Sequence, residues 1–483
     1  MDRRLSRARE NAVVELMRVA PVADELARRF AAADRRLYLV GGSVRDALLG
    51  RLTTGAGGDL DFTTDATPDE VQRLLTGWAE RQWDTGIAFG TIGAFRRGQT
   101  VEITTFRADS YDRQSRNPEV VFGDTVEGDL LRRDFTVNAM AIDLTSADHR
   151  HRFVDPHDGM AALAARVLDT PATPQESFAD DPLRMLRAAR FVSQLGFTVA
   201  PRVREAMTEM AGELQRITAE RVQTELSKLI LGAFPRAGIE LMVETGLAEY
   251  VLPEVPAMQL ATDEHMQHKD VYVHSLVVME QAIERELPGE PDLVLRLAAL
   301  LHDIGKPKTR KLEADGRVSF HHHEVVGAKM TRARLRALKY PKVIIDETAQ
   351  LVYLHLRFHG YGKGEWSDSA VRRYVTDAGP LLDRLHRLVR SDCTTRNKRR
   401  AAALQRSYDS LEERIAVLRE KEELDAIRPD LDGNQIMKLL DIPPGPLVGK
   451  AYKYMLGLRM ERGPIDADEA EAELRRWYAE QTS

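Results

Sequence analysis

Two aspartates one residue apart, Asp59 and Asp61, stand shortly after a Gly41-Gly42 turn, and the order of these features is the most specific chemistry in the chain. Leu37 to Val40 reads as an apolar strand that runs into the Gly-Gly turn and a helix start at Ser43-Val44-Arg45. Leu60 to Thr63 reads as a second strand, and the alternation of side chains along it puts both carboxylates on one face. Two carboxylates beside a turn with exposed backbone N–H groups suit Mg²⁺ and a triphosphate. Gly42 with its neighbour allows close approach of phosphate, the helix start favours anions, and Arg45 adds a fixed positive charge. Glu102, on a further strand at Thr100 to Thr105, is placed to supply a third carboxylate.

Two more clusters carry chemistry. Asp180-Asp181-Pro182-Leu183-Arg184 marks a helix start, with Asp181 and Arg184 three apart and Arg184, Arg187 and Arg190 forming a basic ridge. A carboxylate accepts from an exocyclic amine while a guanidinium donates to a ring nitrogen or carbonyl. Cytosine and adenine both offer that pattern, whereas uracil and guanine present a carbonyl to the carboxylate and leave it unpaired. The histidines concentrate between 265 and 359 and include His302-Asp303 in Leu300-Leu301-His302-Asp303-Ile304-Gly305-Lys306-Pro307. Imidazoles and carboxylates on neighbouring helices suit one or two divalent transition metals.

The elements that must position these groups divide the chain. Residues 1–35 read as an Arg-rich helical segment, with Val13, Leu16, Val19 and Val22 at helical spacing. Residues 36–157 mix strands (Leu37 to Val40, Leu60 to Thr63, Thr91 to Phe95, Thr100 to Thr105) with helices, one opened by Thr67-Pro68-Asp69-Glu70. Thereafter the pattern is helical: a neck at 158–260, a histidine-rich domain at 261–400 and a tail at 401–483, with loops at Leu287 to Pro291, Phe358 to Ser369 and Asp441 to Pro446. The fold class is an α+β head followed by an all-α body. At 483 residues several domains are expected, and 30% charged with 43% apolar residues is ordinary globular composition. The single cysteine, Cys393, excludes a disulfide framework and is expected to be a small buried side chain. Met1-Asp2-Arg3-Arg4-Leu5 leads into no apolar core, and no apolar run approaches the roughly twenty residues that span a bilayer, so a cytoplasmic protein without a membrane is expected. The net charge of −6 means that any RNA contact must come from local basic clusters, such as Arg396-Asn397-Lys398-Arg399-Arg400.

The stretch from Gly41 to Asp61 resembles motif A of the DNA polymerase β-like nucleotidyltransferases, and within them the bacterial class II tRNA nucleotidyltransferases and the related poly(A) polymerases. Arg132-Arg133-Asp134-Phe135-Thr136-Val137-Asn138-Ala139 resembles the family's motif B, which implies that Arg133 contacts the triphosphate and Asp134 accepts from a ribose hydroxyl. Asp180 to Phe191 resembles motif D, where protein side chains replace a template. The family usually begins this motif with Glu-Asp, and Asp180 is one methylene shorter. Gln215 to Leu231 resembles motif E, with Thr218, Arg221, Glu225 and Lys228 read as structural. Residues 108–131, including Tyr111 to Pro118, read as a polar loop; in the resembled family the matching segment is a flexible loop that helps the switch from adding C to adding A, and its presence implies complete CCA addition.

The resemblance implies CCA addition to the 3′ end of tRNA from CTP and ATP, with pyrophosphate released and Mg²⁺ held by Asp59 and Asp61. Leu300 to Pro307 is similar to the HD phosphohydrolase motif. By that similarity His274, His302, Asp303 and Asp392 form a core metal set, and His323 and His355 complete a second position, while His321 and His322 have no match and are expected to be exposed. The similarity leaves two roles for this site: hydrolysis of terminal or cyclic phosphates on RNA ends, or bracing of the fold alone. Two alternatives stand beside this reading. A poly(A) polymerase would carry a Gly-Arg-x-Phe-Arg-Leu-like stretch after motif A, where this chain reads Asp84-Thr85-Gly86-Ile87-Ala88-Phe89-Gly90-Thr91. An HD phosphohydrolase whose head only binds RNA would need a defective motif A, yet both aspartates are present.

Overall fold

The computed structural model describes residues 21–51, 59–109, 120–146, 152–260, 270–314, 318–358, 366–394, 397–422 and 428–482, with a few positions between 7 and 14. The chain divides into two compact units, Met1–Tyr250 and Val251–Ser483.

The first unit is built on one mixed sheet. Its strands are β1 (Leu37–Val40), β2 (Asp59–Thr64), β3 (Arg81–Trp83), β4 (Thr91–Arg96), β5 (Gln99–Thr105), β8 (Ala141–Asp143) and β9 (Phe153–Val154), in the order β3-β4-β5-β2-β1-β8-β9. A separate hairpin pairs β6 (Arg107–Asp109) with β7 (Val120–Phe122). Only β2 and β5 run parallel; the other pairs in the sheet are antiparallel. Alternation along β5 sends Val101, Ile103 and Thr105 inward and leaves Glu102 exposed. The inward face meets helices Pro21–Ala32 and Pro68–Leu75, whose Leu26, Phe30, Val71 and Leu75 join Leu39, Phe62, Ile92 and Ile103 in a single core. The second of these helices starts as the sequence indicates: Thr67 accepts from the Glu70 amide, Glu70 returns to the Thr67 amide, and Pro68 follows the cap. With one face covered by helices, the carboxylates of Asp61 and Glu102 belong to the other.

From Gly159 onward this unit is mainly helical, through Pro174–Asp180, Leu183–Leu195, Pro201–Met210, Ala219–Ile230 and Pro235–Glu244. Small residues let Leu183–Leu195 lie close to its neighbours. A Cβ on Gly238 would stand 2.7 Å from the Ala189 carbonyl oxygen, and one on Gly232 would stand 2.1 Å from Ser193 Oγ.

The second unit surrounds its histidines with helices Val271–Ile283, Leu293–Leu301, His323–Ala337, Lys342–Leu354 and Leu382–Ser391. A 25-residue helix, Lys398–Glu422, follows. The last three helices, Gly433–Leu440, Pro446–Arg462 and Ala467–Thr482, close a small core of their own around Ile436, Ala451, Met455 and Leu474. No helix among the described residues is long and apolar enough to cross a membrane.

The α+β head and all-α body are as the sequence indicates, and the four expected strands form within one residue of their expected ends. Two details differ. Cys393 is half-buried rather than enclosed, because it lies just past the end of Leu382–Ser391. Asp181 is not inside a helix with Arg184: it ends Pro174–Asp180 in an extended conformation, and the next helix begins at Leu183 after Pro182.

Gly305 fixes how the His302-Asp303 turn seats on helix His323–Ala337. A Cβ there would stand 2.1 Å from the His323 carbonyl oxygen and 2.8 Å from the Gly327 amide nitrogen, both backbone atoms. Gly305→Ala is expected to destabilise the protein by about 1–3 kcal/mol through overpacking, read as a lower urea midpoint. An unchanged midpoint would mean that this contact yields freely.

Candidate active site and metal centre

The strand register assembles the head site. Asp61 pairs with Glu102 and Asp59 with Thr100 across β2 and β5, which sets Asp61 beside Glu102; the Asp59 side chain lies outside the described residues. Gly41 has φ +76°, the left-handed region that glycine adopts without strain. A Cβ on it would stand 3.1 Å from Arg133 Nη1 and 3.6 Å from Asp61 Oδ2, so the turn, the arginine and the carboxylate converge at one point. Gly42 opens the short helix Gly42–Leu48. Of the expected loop at 108–131, residues 110–119 lie outside the described residues, whereas Val120–Phe122 pairs as β7 and Val126–Leu131 is a short helix capped by the Thr125 hydroxyl, so the second half is ordered by pairing and capping rather than loop.

Arg45 is mostly buried. It donates to both oxygens of Asp46, at 2.8 and 2.9 Å, and to Asn138 Oδ1 at 2.7 Å. Asn138 Nδ2 donates onward to Asp134 Oδ1 at 3.0 Å, and the Phe135 amide donates to the same oxygen at 2.8 Å. Arg187 donates to Asp134 Oδ2 through Nε and Nη2, at 2.8 and 2.6 Å. Arg190 pairs with buried Glu225 at 3.1 Å, and its guanidinium carbon lies 4.2 Å from the Phe191 ring centroid. Burial alone would raise the Asp134 carboxyl, but Arg187 and the Asn138 hydrogen bond outweigh it and hold the group well below the usual carboxylate range.

Arg184 and Asp181 stand at the margin of this network. Arg184 Nη2 donates to the Arg132 carbonyl at 2.7 Å and Nη1 to Ser177 Oγ at 2.9 Å. Asp181 accepts from the Leu183 amide and, at 2.7 Å, from Arg221 Nη2. The sequence reads Arg221 and Glu225 as structural residues of the neck. The structure joins Arg221 to Asp181 and Glu225 to Arg190, partnerships between residues some forty and thirty-five positions apart that no local spacing signals.

The six metal-type residues of the second unit meet in two trios, His274, His302 and Asp392, then Asp303, His323 and His355. Asp303 also reaches the core set, its Oδ2 lying 3.7 Å from His274 Nε2, so it stands between the two trios. Its Oδ1 lies 3.2 Å from His323 Nε2 and its Oδ2 lies 3.2 Å from His302 Nε2. Three rings are aimed by the backbone. Nδ1 of His302 meets the Ala299 carbonyl at 2.8 Å, that of His323 the Phe320 carbonyl at 2.8 Å, and that of His355 the Val352 carbonyl at 2.6 Å. Each bond fixes the proton on Nδ1 and turns the Nε2 lone pair inward. The three Nε2 atoms are buried and have no well-aligned hydrogen-bond partner. Inward lone pairs on buried atoms beside carboxylates fit a divalent transition metal, and the donor set of imidazole and carboxylate fits its chemistry.

The carboxylates and imidazoles also act on one another's charge. Burial works against charge on His302, yet Asp303 and Asp392 raise it to about 10. Burial, reinforced by the His302 charge, pushes His355 down to about 3. Lys306 Nζ lies 2.9 Å from Asp303 Oδ2. His321 and His322 are exposed, as their lack of a match implied. Lys398, Arg399 and Arg400 are exposed at the start of the long helix, and Arg396 lies outside the described residues.

Three family models match in succession along the chain: the poly A polymerase head domain over residues 37–169, the probable RNA and SrmB-binding site of polymerase A over 196–258, and the HD domain over 271–416. An A-adding tRNA nucleotidyltransferase of Deinococcus radiodurans is 35% identical over 362 residues, covering 74% of this chain and 80% of that protein. The chain belongs to the tRNA nucleotidyltransferase and poly(A) polymerase family. The CCA-adding enzyme of Anoxybacillus flavithermus is 42% identical over 219 residues, 45% of this chain, and this match spans about half (52%) of that protein's length. Among solved structures, the Bacillus stearothermophilus CCA-adding enzyme in complex with CTP has the same fold, with a TM-score of 0.69 at 24% identity and coverage of 97% and 99% of the two chains. Family membership makes this chain a nucleotidyltransferase. Within that family the head model covers the Gly41 turn, Asp59, Asp61, Glu102 and Asp134, and the HD model covers all six residues of the two trios.

A pH test follows from Asp134. Its carboxyl is depressed in the folded state, so the stability it contributes is present above the ordinary carboxylate pKa of about 4 and is lost as pH falls below it. Asp134→Asn should lower stability by about 2 kcal/mol at pH 7, because Arg187 keeps only the more distant Glu225, at 3.8 Å, as counter-charge. The loss should shrink on acidification, with thermal midpoints of the two proteins converging towards pH 3 or so. A difference that stayed constant with pH would assign the carboxylate another role.

Proposed function

We propose that this chain adds CCA to the 3′ end of tRNA from CTP and ATP and releases pyrophosphate. The observation that carries this reading is the convergence of Asp61, Arg133 and the Gly41 turn beside Glu102, on the face of the sheet away from the core. Bound at Asp59 and Asp61, Mg²⁺ supplies acidity to the attacking 3′-hydroxyl and neutralises charge on the leaving pyrophosphate. Glu102 is placed to join those carboxylates, and Arg133 to hold the triphosphate against the turn. Asp134 is the residue assigned to the ribose hydroxyl, with Arg187 and Asn138 orienting it. Asp181 accepts the amino group of cytosine or adenine and Arg184 donates to the adjacent ring acceptor, with Arg221 holding the Asp181 carboxylate in place. Gly42, Arg45 and Arg190 serve the same nucleotide site, the two arginines from within the packed helices.

A narrower reading, addition of the terminal A alone, is supported by the Deinococcus relative, whose name is that of an A-adding enzyme. The deciding assay gives each triphosphate singly to tRNA lacking CCA and to tRNA ending in CC. Incorporation of two C residues from CTP, then one A, is expected. Addition to the CC-ended tRNA only would establish the narrower activity, and a long A tail would sink both.

Two variants test the roles. Asp61→Ala is expected to reduce nucleotide addition by about a thousandfold or more while tRNA is still bound, since several kcal/mol of barrier lowering are lost. Asp181→Ala should raise use of UTP and GTP relative to CTP and ATP by about tenfold or more, because both an attraction and a penalty disappear. Equal losses in kcat/KM on all four triphosphates would remove the base-reading role.

The second unit supports a separate, metal-dependent hydrolysis of phosphate esters, with terminal or cyclic phosphates on RNA ends as the substrate class. The two trios are its basis. When bound, a divalent transition metal supplies an activated water and polarises the phosphoryl group. Replacing His302 and Asp303 together by Ala should abolish hydrolysis and spare CCA addition. Loss of both activities in a folded protein would contradict their separation.

A further inference from the structure

The carboxylate face of the sheet continues past the metal ligands to an exposed edge. Reading across the strands, Asp61 pairs with Glu102, Glu102 with Gly93, and Gly93 with Trp83. Directly paired residues share a face, so Trp83 belongs to the same face as Glu102 and opposite the core-facing Ile92 and Ala94. The indole fills the place of the missing side chain: a Cβ on Gly93 would stand 2.1 Å from Trp83 Cε2 and Nε1. The neighbouring row repeats the arrangement. Thr100 pairs with Phe95 and Phe95 with Arg81, and the Arg81 guanidinium carbon lies 4.6 Å from the Phe95 ring centroid. β3 is the end strand of the sheet, with Arg81 and Gln82 exposed and Trp83 only partly buried.

Nothing in the nucleotide site described above uses these groups, and an edge tryptophan laid flat over a glycine is not core packing. Strands lie about 4.8 Å apart, so Trp83 stands about two strand spacings, near 10 Å, from Glu102. A hydroxyl brought to Asp61 and Glu102 belongs to a strand whose preceding nucleotides must lie over some part of this face. Aromatic rings and stacked guanidinium planes hold unpaired bases through their π faces without reading their identity. We propose that Trp83, with Arg81 stacked on Phe95, forms a platform on which the unpaired 3′-terminal bases of the RNA substrate stack. This rests on the nucleotidyl-transfer reading and extends it. The incoming base is selected at Asp181 and Arg184, whereas the acceptor end is gripped without regard to sequence, as suits an enzyme that meets many different acceptors.

The test uses the full-length protein and a tRNA ending in 3′-deoxycytidine, which binds but is not extended. Tryptophan fluorescence should be quenched on adding this RNA, and the quench should be largely absent from Trp83→Phe, which keeps a stacking ring. Affinity for the RNA should fall by less than about threefold in Trp83→Phe and by about tenfold in Trp83→Leu, the scale of one lost base–aromatic stack. KM for tRNA should rise in Trp83→Leu far more than KM for CTP, at an unchanged thermal midpoint. An undiminished quench in Trp83→Phe, or parental RNA affinity in Trp83→Leu, would overturn the platform. So would a Trp83-dependent quench produced by CTP alone, which would give the ring to the incoming base. If Trp83→Leu fails to fold, the Trp83→Phe quench still decides. RNA-dependent quenching without nucleotide addition would leave the platform standing and fail the functional reading; addition without a Trp83 signal would do the reverse.

Discussion

The nucleotide site depends on one buried carboxylate. Asp134 takes a hydrogen bond from its own backbone neighbour, one from Asn138 and two from Arg187, and through these it ties the end of the head sheet to helix Leu183–Leu195. Arg45, behind the Gly41 turn, joins the same network through Asn138, and Arg190 with Glu225 anchors the far side of that helix to Ala219–Ile230. A charge this enclosed is tolerable only because each of its oxygens is satisfied. The consequence is positional. The Gly41 turn, the Arg133-Asp134 segment and the Asp181 to Arg184 corner lie on different elements, and the network ties all three together, the preorganisation that placing single hydrogen bonds requires.

The histidine centre solves the same problem by a different device. Three of its rings are oriented by hydrogen bonds to backbone carbonyls three residues earlier, each at the C-terminal end of a helix or turn. The Ala299 and Val352 carbonyls lie in the last turn of a helix and lack a helical partner, while the Phe320 carbonyl belongs to the turn that precedes its helix, so chain geometry itself aims each imidazole. Asp303 sits between the trios, and Gly305 lets its turn press against the carbonyl of His323. Burial opposes charge on both His302 and His355; the two carboxylates beside His302 outweigh it and raise that ring, whereas on His355 burial is reinforced by the charge of His302 and lowers it.

How much of this was legible in the sequence depends on the range of the signal. β1, β2, β4 and β5 were legible because each runs four residues or more with a consistent pattern, and the Thr67 cap because its residue types stand at fixed local offsets. β3, β8 and β9 were not, because two or three residues cannot display a period. The metal-type residues and their two positions were found by type and context, but which oxygen of Asp303 faces which ring was not, since helix packing decides it. Arg187 and Arg190 illustrate the same limit. As a ridge of arginines at helical spacing they read as one basic surface, yet their partners Asp134 and Glu225 come from distant segments and leave only Arg184 and Arg187 partly open.

Gly93 and Trp83 show why a pair can matter when neither member is informative alone. A glycine inside a strand weakens it, and a tryptophan on an edge strand exposes apolar surface. Together each removes the other's defect: the indole covers the glycine, and the glycine lets the ring lie flat on the pleat. The core face, where Ile92 and Ala94 are fully buried under the helices, leaves no place for the ring. Its place beside Glu102 instead puts an apolar, planar surface on the face that carries the carboxylates. A sheet face that bore only acidic groups would repel a nucleic acid wherever a metal did not intervene. The stacked Arg81 and the two rings give that face an attractive end, so approach of the acceptor strand does not depend on the metal site alone.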